Sequence, residues 1–367
     1  MIERTLREAA PEPAPLWAGV DRLIDRAPSA EDLRVHRLQL LAACRFRRVG
    51  REVPTAFVAD ERLAARRALA VPRLLAQIRA ACDGPILLIK GPEMAARYPD
   101  PLVRPFTDVD ILVPDAERTQ RELLAAGFEP VAHPDEYYER CQHLRPLLRP
   151  GLPIHVEVHR RPNWIHWADP PGVEELLEAA VPSSLGIAGI STPSPTQHAL
   201  LLAAHAWGEQ PLRRLLDLVD VETLAAEADR AELSRLAARW DLAGVWATTI
   251  TAADSLLLGA EPTRRLRRWT RDLEEARDRT VLENHLRRWC GNFWALPFGR
   301  ALVATFGTMM REVGPASGET WGAKLARTRL AIRHAFAPTS THNQELNRLG
   351  GAGSRPKPVR KDGPTGR

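Results

Sequence analysis

The sequence predicts an α+β fold in which a small mixed β-sheet is flanked by N-terminal and C-terminal helical regions. Three observations predict it. Apolar residues recur at helical spacing up to about residue 80 and again from about residue 195. Between these blocks the pattern changes to short apolar runs and strict alternation, the signature of strands. The chain has 367 residues, 44% hydrophobic and 26% charged, which is ordinary globular composition and enough length for two or three cores. The expected division is a helical region over 1–80, the sheet core over 81–190, a helical domain over 191–340 and a disordered basic tail over 341–367.

The elements follow in order. Leu33, Leu38, Leu40 and Leu41 lead into Ala42-Ala43-Cys44 with helical spacing, and residues 63–78 repeat it, with Val71-Pro72 expected to break the helix. Residues 85–89 form a buried apolar strand that ends in Lys90-Gly91, and proline opens the helix over 92–98. Residues 108–113 form a second strand. Asp115 caps the next helix and Gly127 stops it. A third strand is expected over 128–132, then a hairpin of 143–149 with 154–159 across Pro150-Gly151-Leu152-Pro153. After Pro193-Ser194-Pro195 the helical period returns over 197–207, 212–224, 233–238 and 245–258, and continues to about residue 336.

Composition narrows the function classes. The net charge is only +5, and the body has one dense basic cluster, Arg264 to Arg268, which reads as a solvated helix face. Nucleic acid is compatible with this but not indicated. Cys44, Cys82, Cys141 and Cys290 are scattered without C-x-x-C spacing, so neither a zinc site nor a disulfide framework is expected. No basic start precedes an apolar run, and no stretch nears the ~20 apolar residues of a membrane span. The expectation is a cytoplasmic protein with no membrane partner. Its oligomeric state is not readable.

The chemistry concentrates on the expected sheet. Residues two apart on a strand share a face, so Asp108 and Asp110 present their carboxylates side by side. Such like charges repel unless a cation sits between them, and a divalent metal is the usual one. In the last hairpin strand, Ile154, Val156 and Val158 alternate with His155, Glu157 and His159. If the polar faces adjoin, Glu157 becomes a third acid on the same metal. Oxygen ligands suit Mg²⁺, or Mn²⁺, with substrate phosphates completing the shell. Gly91 allows close backbone approach of an anion at a helix start, and Lys90, one of only four lysines, adds a positive charge. Arg104, in a proline-flanked loop, either meets a phosphate or pairs with Asp108. His159 is a candidate base, a partner for Glu157, or a structural histidine. Arg213 and Asp217 stand four apart, as an ion pair on one helix face would. Trp164, Trp167, Trp207 and Trp240 read as packing residues.

Taken together, Lys90-Gly91 after a strand, Tyr98-Pro99-Asp100, Arg104, Asp108-x-Asp110-Ile-Leu-Val and Glu157-Val-His159 resemble the uncharacterised nucleotidyltransferase family of the polymerase-β-like superfamily. The resemblance covers about residues 84–165, and more loosely His205, Arg213 and Asp217 in a helical domain. It implies metal-dependent transfer of a nucleoside monophosphate from an NTP, ATP among the candidates, to an unidentified acceptor: a small molecule, peptide or protein. Asp108, Asp110 and Glu157 would be the catalytic, metal-binding acids, and Lys90, Gly91 and Arg104 the nucleotide contacts. The wider superfamily has a Gly-Ser turn where this chain has Lys90-Gly91, which leaves phosphoryl transfer open beside nucleotidyl transfer. Two other readings stand beside it: a glycosyltransferase using the D-x-D pair, and a non-catalytic nucleotide-binding or interaction protein.

Overall fold

The computed structural model describes residues 14–132, 138, 141–315 and 320–348. Four helices open the chain: α1 (Pro15–Arg26), α2 (Ala30–Val35), α3 (Gln39–Arg48) and α4 (Thr55–Ala81). The Ser29 hydroxyl accepts the Asp32 N–H and caps α2. The expected break at Val71-Pro72 does not occur, and α4 runs straight through Pro72. An interior proline costs a helix about 3 kcal/mol or more. Val71, Leu74, Leu75 and Ile78 are all buried here against the sheet, and each buried side chain of this kind gains about 1.5–3 kcal/mol. Tertiary packing therefore outweighs the local defect. The first half of α4 packs Phe57 and Ala64 among α1 and α3 instead, so this one helix spans two cores.

The sheet segment follows as β1 (Ile86–Leu88), α5 (Pro92–Ala95), β2 (Asp108–Leu112), α6 (Ala116–Ala125), β3 (Glu129–Pro130), β4 (Leu147–Leu148), β5 (His155–His159), α7 (Val173–Glu178), β6 (Val181–Pro182) and β7 (Ile190–Thr192). The strand order is β3-β4-β5-β2-β1-β7-β6. It is a mixed sheet: β2 runs antiparallel to β1 but parallel to β5, and β1 runs parallel to β7. The expected hairpin is present as antiparallel β4–β5, extended by an isolated bridge between His143 and His159. Strands β6 and β7 lie beyond the expectation, because two- and three-residue strands carry too little alternation to read.

Alternation sorts the two faces. Val109, Ile111, Val156 and Val158 join the α4 core, whereas Leu87 and Leu112 face the helices that follow. Asp108 and Asp110 share their parity with Leu112, so they too point away from α4. The C-terminal helices on that side begin with α8 (Pro195–Glu209), α9 (Leu215–Ala225), α10 (Arg230–Arg239) and α11 (Ala243–Ala253), which continues as a π-helical turn over Asp254–Leu258. Beyond them come α12 (Arg264–Trp269), α13 (Arg271–Glu274), α14 (Val281–Cys290), α15 (Asn292–Ala295), α16 (Phe298–Val313), α17 (Trp321–Arg333) and α18 (Thr339–Arg348). Trp207 and Trp240 are buried among these helices, and the Trp164 ring stands 5.9 Å from Trp240, as packing residues should.

The tail expected to be disordered from 341 is corrected in its first part. There α18 is helical, because Thr339 bonds the Arg279 carbonyl, His342 is buried, and Glu345 pairs with His334 at 3.1 Å. The rest of that tail lies outside the described residues. Among the described residues, no helix is long and apolar enough to cross a membrane.

Candidate active site

The parallel register of β2 and β5 sets the acids. Asp110 lies opposite Glu157 and Asp108 opposite His155, so both polar rows share one face. They line a cleft of about 680 Å³ together with Lys90 at the end of β1 and His205 from α8. The sequence thus brings Asp108, Asp110, Glu157, Lys90 and Gly91 to one place, as expected.

The tightest group is not the three acids. One ligand atom each from Asp110, Glu157 and His159 lie within 4.8 Å of one another, a set that excludes Asp108. His159 Nε2 stands 3.1 Å from Asp110 Oδ1 and 3.6 Å from Glu157 Oε2. Burial alone would discharge this imidazole, but the two carboxylates overcome it and push its pKa up to about 9. Burial likewise opposes the Asp110 charge, yet the hydrogen bond from His159, with Lys90 and His205 nearby, holds its carboxyl well below the usual range. Asp108 has no such partner. Burial first, then repulsion from Asp110 and Glu157, pushes it up to about 6, although Thr107 donates to its Oδ2 at 3.0 Å.

Two features fit this cluster to a divalent cation. Asp110 Oδ2 is buried with no hydrogen-bond partner among the described residues, a rarity that needs a cause. Asp108 is pressed toward protonation by burial and then by the neighbouring carboxylates Asp110 and Glu157, and a cation between them would relieve that repulsion. The donor set is two or three carboxylates with one imidazole, so oxygen-preferring Mg²⁺ and Mn²⁺ both suit it.

The Lys90-Gly91 turn is fixed by backbone geometry. Gly91 sits at φ +60°, ψ −123°, a conformation reserved for glycine, and an added Cβ would lie 2.6 Å from the Asp108 carbonyl oxygen. The close approach that Gly91 permits is therefore to strand β2 itself. The helix after it is a single turn whose first residue is proline, so the expected row of free N–H groups is short. Lys90 supplies the positive charge instead, with Nζ 2.5 Å from His205 Nε2. Burial, then Lys90, lowers the His205 pKa, so Lys90 donates to a neutral imidazole.

Arg104 corrects a sequence expectation. It does not pair with Asp108: it is buried at the cleft lining and binds Asp220 through two 2.7 Å hydrogen bonds, while Nη1 donates to the Gly91 carbonyl at 3.0 Å. Tyr98 donates to the same carboxylate at 2.7 Å. Arg104 thus holds the Gly91 turn onto α9 from behind. The Arg213–Asp217 helix pair is corrected too. Arg213 precedes the start of α9, and its guanidinium reaches Glu209 of α8 at 2.7 Å. Asp220 was missed because two Asp residues stand in α9, and the spacing from Arg213 favoured the wrong one. Arg37 and Arg214, which also line the cleft, carried no motif at all.

The uncharacterised nucleotidyltransferase family matches residues 30–257, more than half of the chain. The match begins well before the sheet and ends among the helices that follow it, so it takes in every residue of the cleft described above. No curated protein and no solved structure matches the chain.

Proposed function

Because the chain belongs to the uncharacterised nucleotidyltransferase family, we propose that it moves a nucleoside monophosphate from an NTP to an acceptor hydroxyl or amine in this cleft. One observation carries the reading: Asp108 and Asp110 on β2 stand in parallel register with Glu157 on β5, and with Lys90 they line a cleft large enough for a nucleotide. Asp108, Asp110 and Glu157 are the metal-binding acids of this proposal, with His159 beside them. A bound Mg²⁺ or Mn²⁺ would supply positive charge to the reacting phosphate and to the departing pyrophosphate.

The chain's own residues do the rest. The bond from the acceptor atom to the α-phosphorus forms as the bond from that phosphorus to the bridging oxygen breaks, and pyrophosphate leaves. Lys90 is released from neutral His205 to a phosphate oxygen, a charge-assisted bond stronger than the one it gives up. Glu157 takes the acceptor proton on its carboxylate, with the His143 imidazole 3.8 Å away. Gly91, clamped by Arg104, holds Lys90 in line with β2.

A glycosyltransferase has no use for the Glu157 strand or the Lys90 turn, and its D-x-D reading is set aside with the family match. Asp110→Asn should lower turnover by about 10³-fold, since metal-assisted charge stabilisation amounts to several kcal/mol. The assay follows transfer from an α-labelled NTP. Titration calorimetry showing unchanged NTP–Mg²⁺ affinity in the Asp108→Asn, Asp110→Asn double variant would sink the proposal.

A further inference from the structure

Two left-handed turns face the cleft from outside the sheet. Arg37, in the turn between α2 and α3, has φ +58°, and Leu212, two residues before Arg214, has φ +49°. Residues with side chains avoid this region, and when bulky ones adopt it the surroundings must impose it. Here they do. The Leu216 N–H donates to the His36 carbonyl at 3.3 Å, which ties the two turns together. His36 Nε2 bonds the Arg277 carbonyl at 2.9 Å, and the Leu212 carbonyl receives Arg287 Nη1 at 2.9 Å as well as Arg279.

This clamp sets two guanidinium groups side by side in the cleft lining. The Arg37 guanidinium makes no hydrogen bond and no close ion pair with any described residue. Burial, then the charge of Arg214, lowers its pKa, while the carboxylates of Asp217 and Asp108 act on it only through space. Arg214 has Glu209 at 3.8 Å, whereas Arg37 sits on strained backbone beside a like charge, so Arg37 is the group that an incoming anion would satisfy. A guanidinium fork is shaped to take two oxygens of one phosphate. Lys90 acts on both Asp108 and Asp110, and Arg37 acts with Asp108 and Asp217, so both cations stand close to the same carboxylate pair.

We propose that Arg37, with Arg214 beside it, binds the diphosphate end of the donor, gripping the group that leaves rather than the group that is transferred. This rests on the reading of the cleft as a donor site and adds to it a subsite supplied by the N-terminal helices. The rival source of the same chemistry is a phosphate on the transferred or accepting partner.

The probes are inorganic pyrophosphate and AMP, each titrated by calorimetry with Mg²⁺ into the full chain, Arg37→Gly and Arg37→Lys. Glycine relieves the positive φ while removing the fork. Arg37→Gly should weaken pyrophosphate binding by about 10- to 100-fold, the loss of charge-assisted hydrogen bonds, and leave AMP within about twofold. Its Tm should hold or rise. Arg37→Lys should keep part of the affinity. Unchanged pyrophosphate affinity in Arg37→Gly overturns the subsite while leaving the donor reading intact, and so does an equal loss for AMP. Arg37-dependent pyrophosphate binding by a chain that transfers nothing would support the subsite and sink the donor reading alone.

Discussion

Arg104 and Arg37 approach the same cleft and have opposite fates. Arg104 is sealed by Asp220, with both oxygens of the carboxylate engaged, and a third donor nitrogen holds the Gly91 carbonyl. Burial disfavours its charge, but Asp220 more than compensates and raises its pKa. Arg37 has a second arginine for a neighbour and no hydrogen-bonded acid, and its pKa moves down. Both are arginines in short connecting segments. What separates them is the number of acceptors within reach, and that number distinguishes a residue that builds the cleft from one that waits for a substrate.

The comparison breaks most readily at the paired side. Arg104→Met should destabilise the protein by about 3–5 kcal/mol, because it leaves Asp220 buried without its counter-charge. Arg37→Met should leave stability unchanged or raise it, because it removes a charge held beside Arg214 without a hydrogen-bonded acid. Urea denaturation of the two variants in parallel decides the matter, and equal losses would erase the distinction.

A buried imidazole extends the comparison to groups that are satisfied only when neutral. His198 donates from Nε2 to the Ile89 carbonyl at 2.9 Å, one residue before Lys90, and burial pushes its pKa down to about 4. The unfolded chain, with an ordinary histidine pKa near 6.5, binds the proton more readily. Stability from this group is therefore complete above about pH 6.5, declines as pH falls, and levels off below about 4, a total on the order of 3 kcal/mol. Stability curves of the wild type and His198→Gln should diverge between those limits. Parallel curves would mean that folding leaves the His198 pKa where it stands in the unfolded chain.

A smaller expected loss sharpens the link between the clamp and the turn. Gly91→Ala should cost about 1–3 kcal/mol from the forbidden backbone region alone. The Cβ contact with the Asp108 carbonyl adds a displacement of β2, so NTP affinity should fall with stability. Loss of stability with full NTP affinity would show that the turn supports the fold without positioning Lys90.

Much of this was legible in the sequence, for definite reasons. Strand period two placed Asp108 with Asp110 and Glu157 with His159, and the apolar partners Val109 and Val156 confirm the facing. Lys90-Gly91 stood out because a lone lysine and a glycine ended a strand. Partnerships between distant segments were not legible. Nothing local says that Arg104 takes Asp220 rather than Asp108, or that His159, by entering the cluster, displaces Asp108 from its tightest part. The unbroken α4 depends on burial that only the assembled core provides. A positive φ at Arg37 is imposed by neighbours from α9 and beyond and leaves no mark in the local residues.

The Arg104–Asp220 clamp also has a consequence in time. The two residues are 116 positions apart. At roughly 5–20 residues per second, the ribosome delivers Asp220 about 6–23 s after Arg104. Until then the guanidinium is cheapest left in water, the Lys90-Gly91 turn is held from one side only, and α9 is not there to close the cleft. The acids and the lysine all precede Asp220 in the chain, so they are made before the residue that clamps their turn. The buried pairing of Arg104 can form only after Asp220 of α9 has been synthesised.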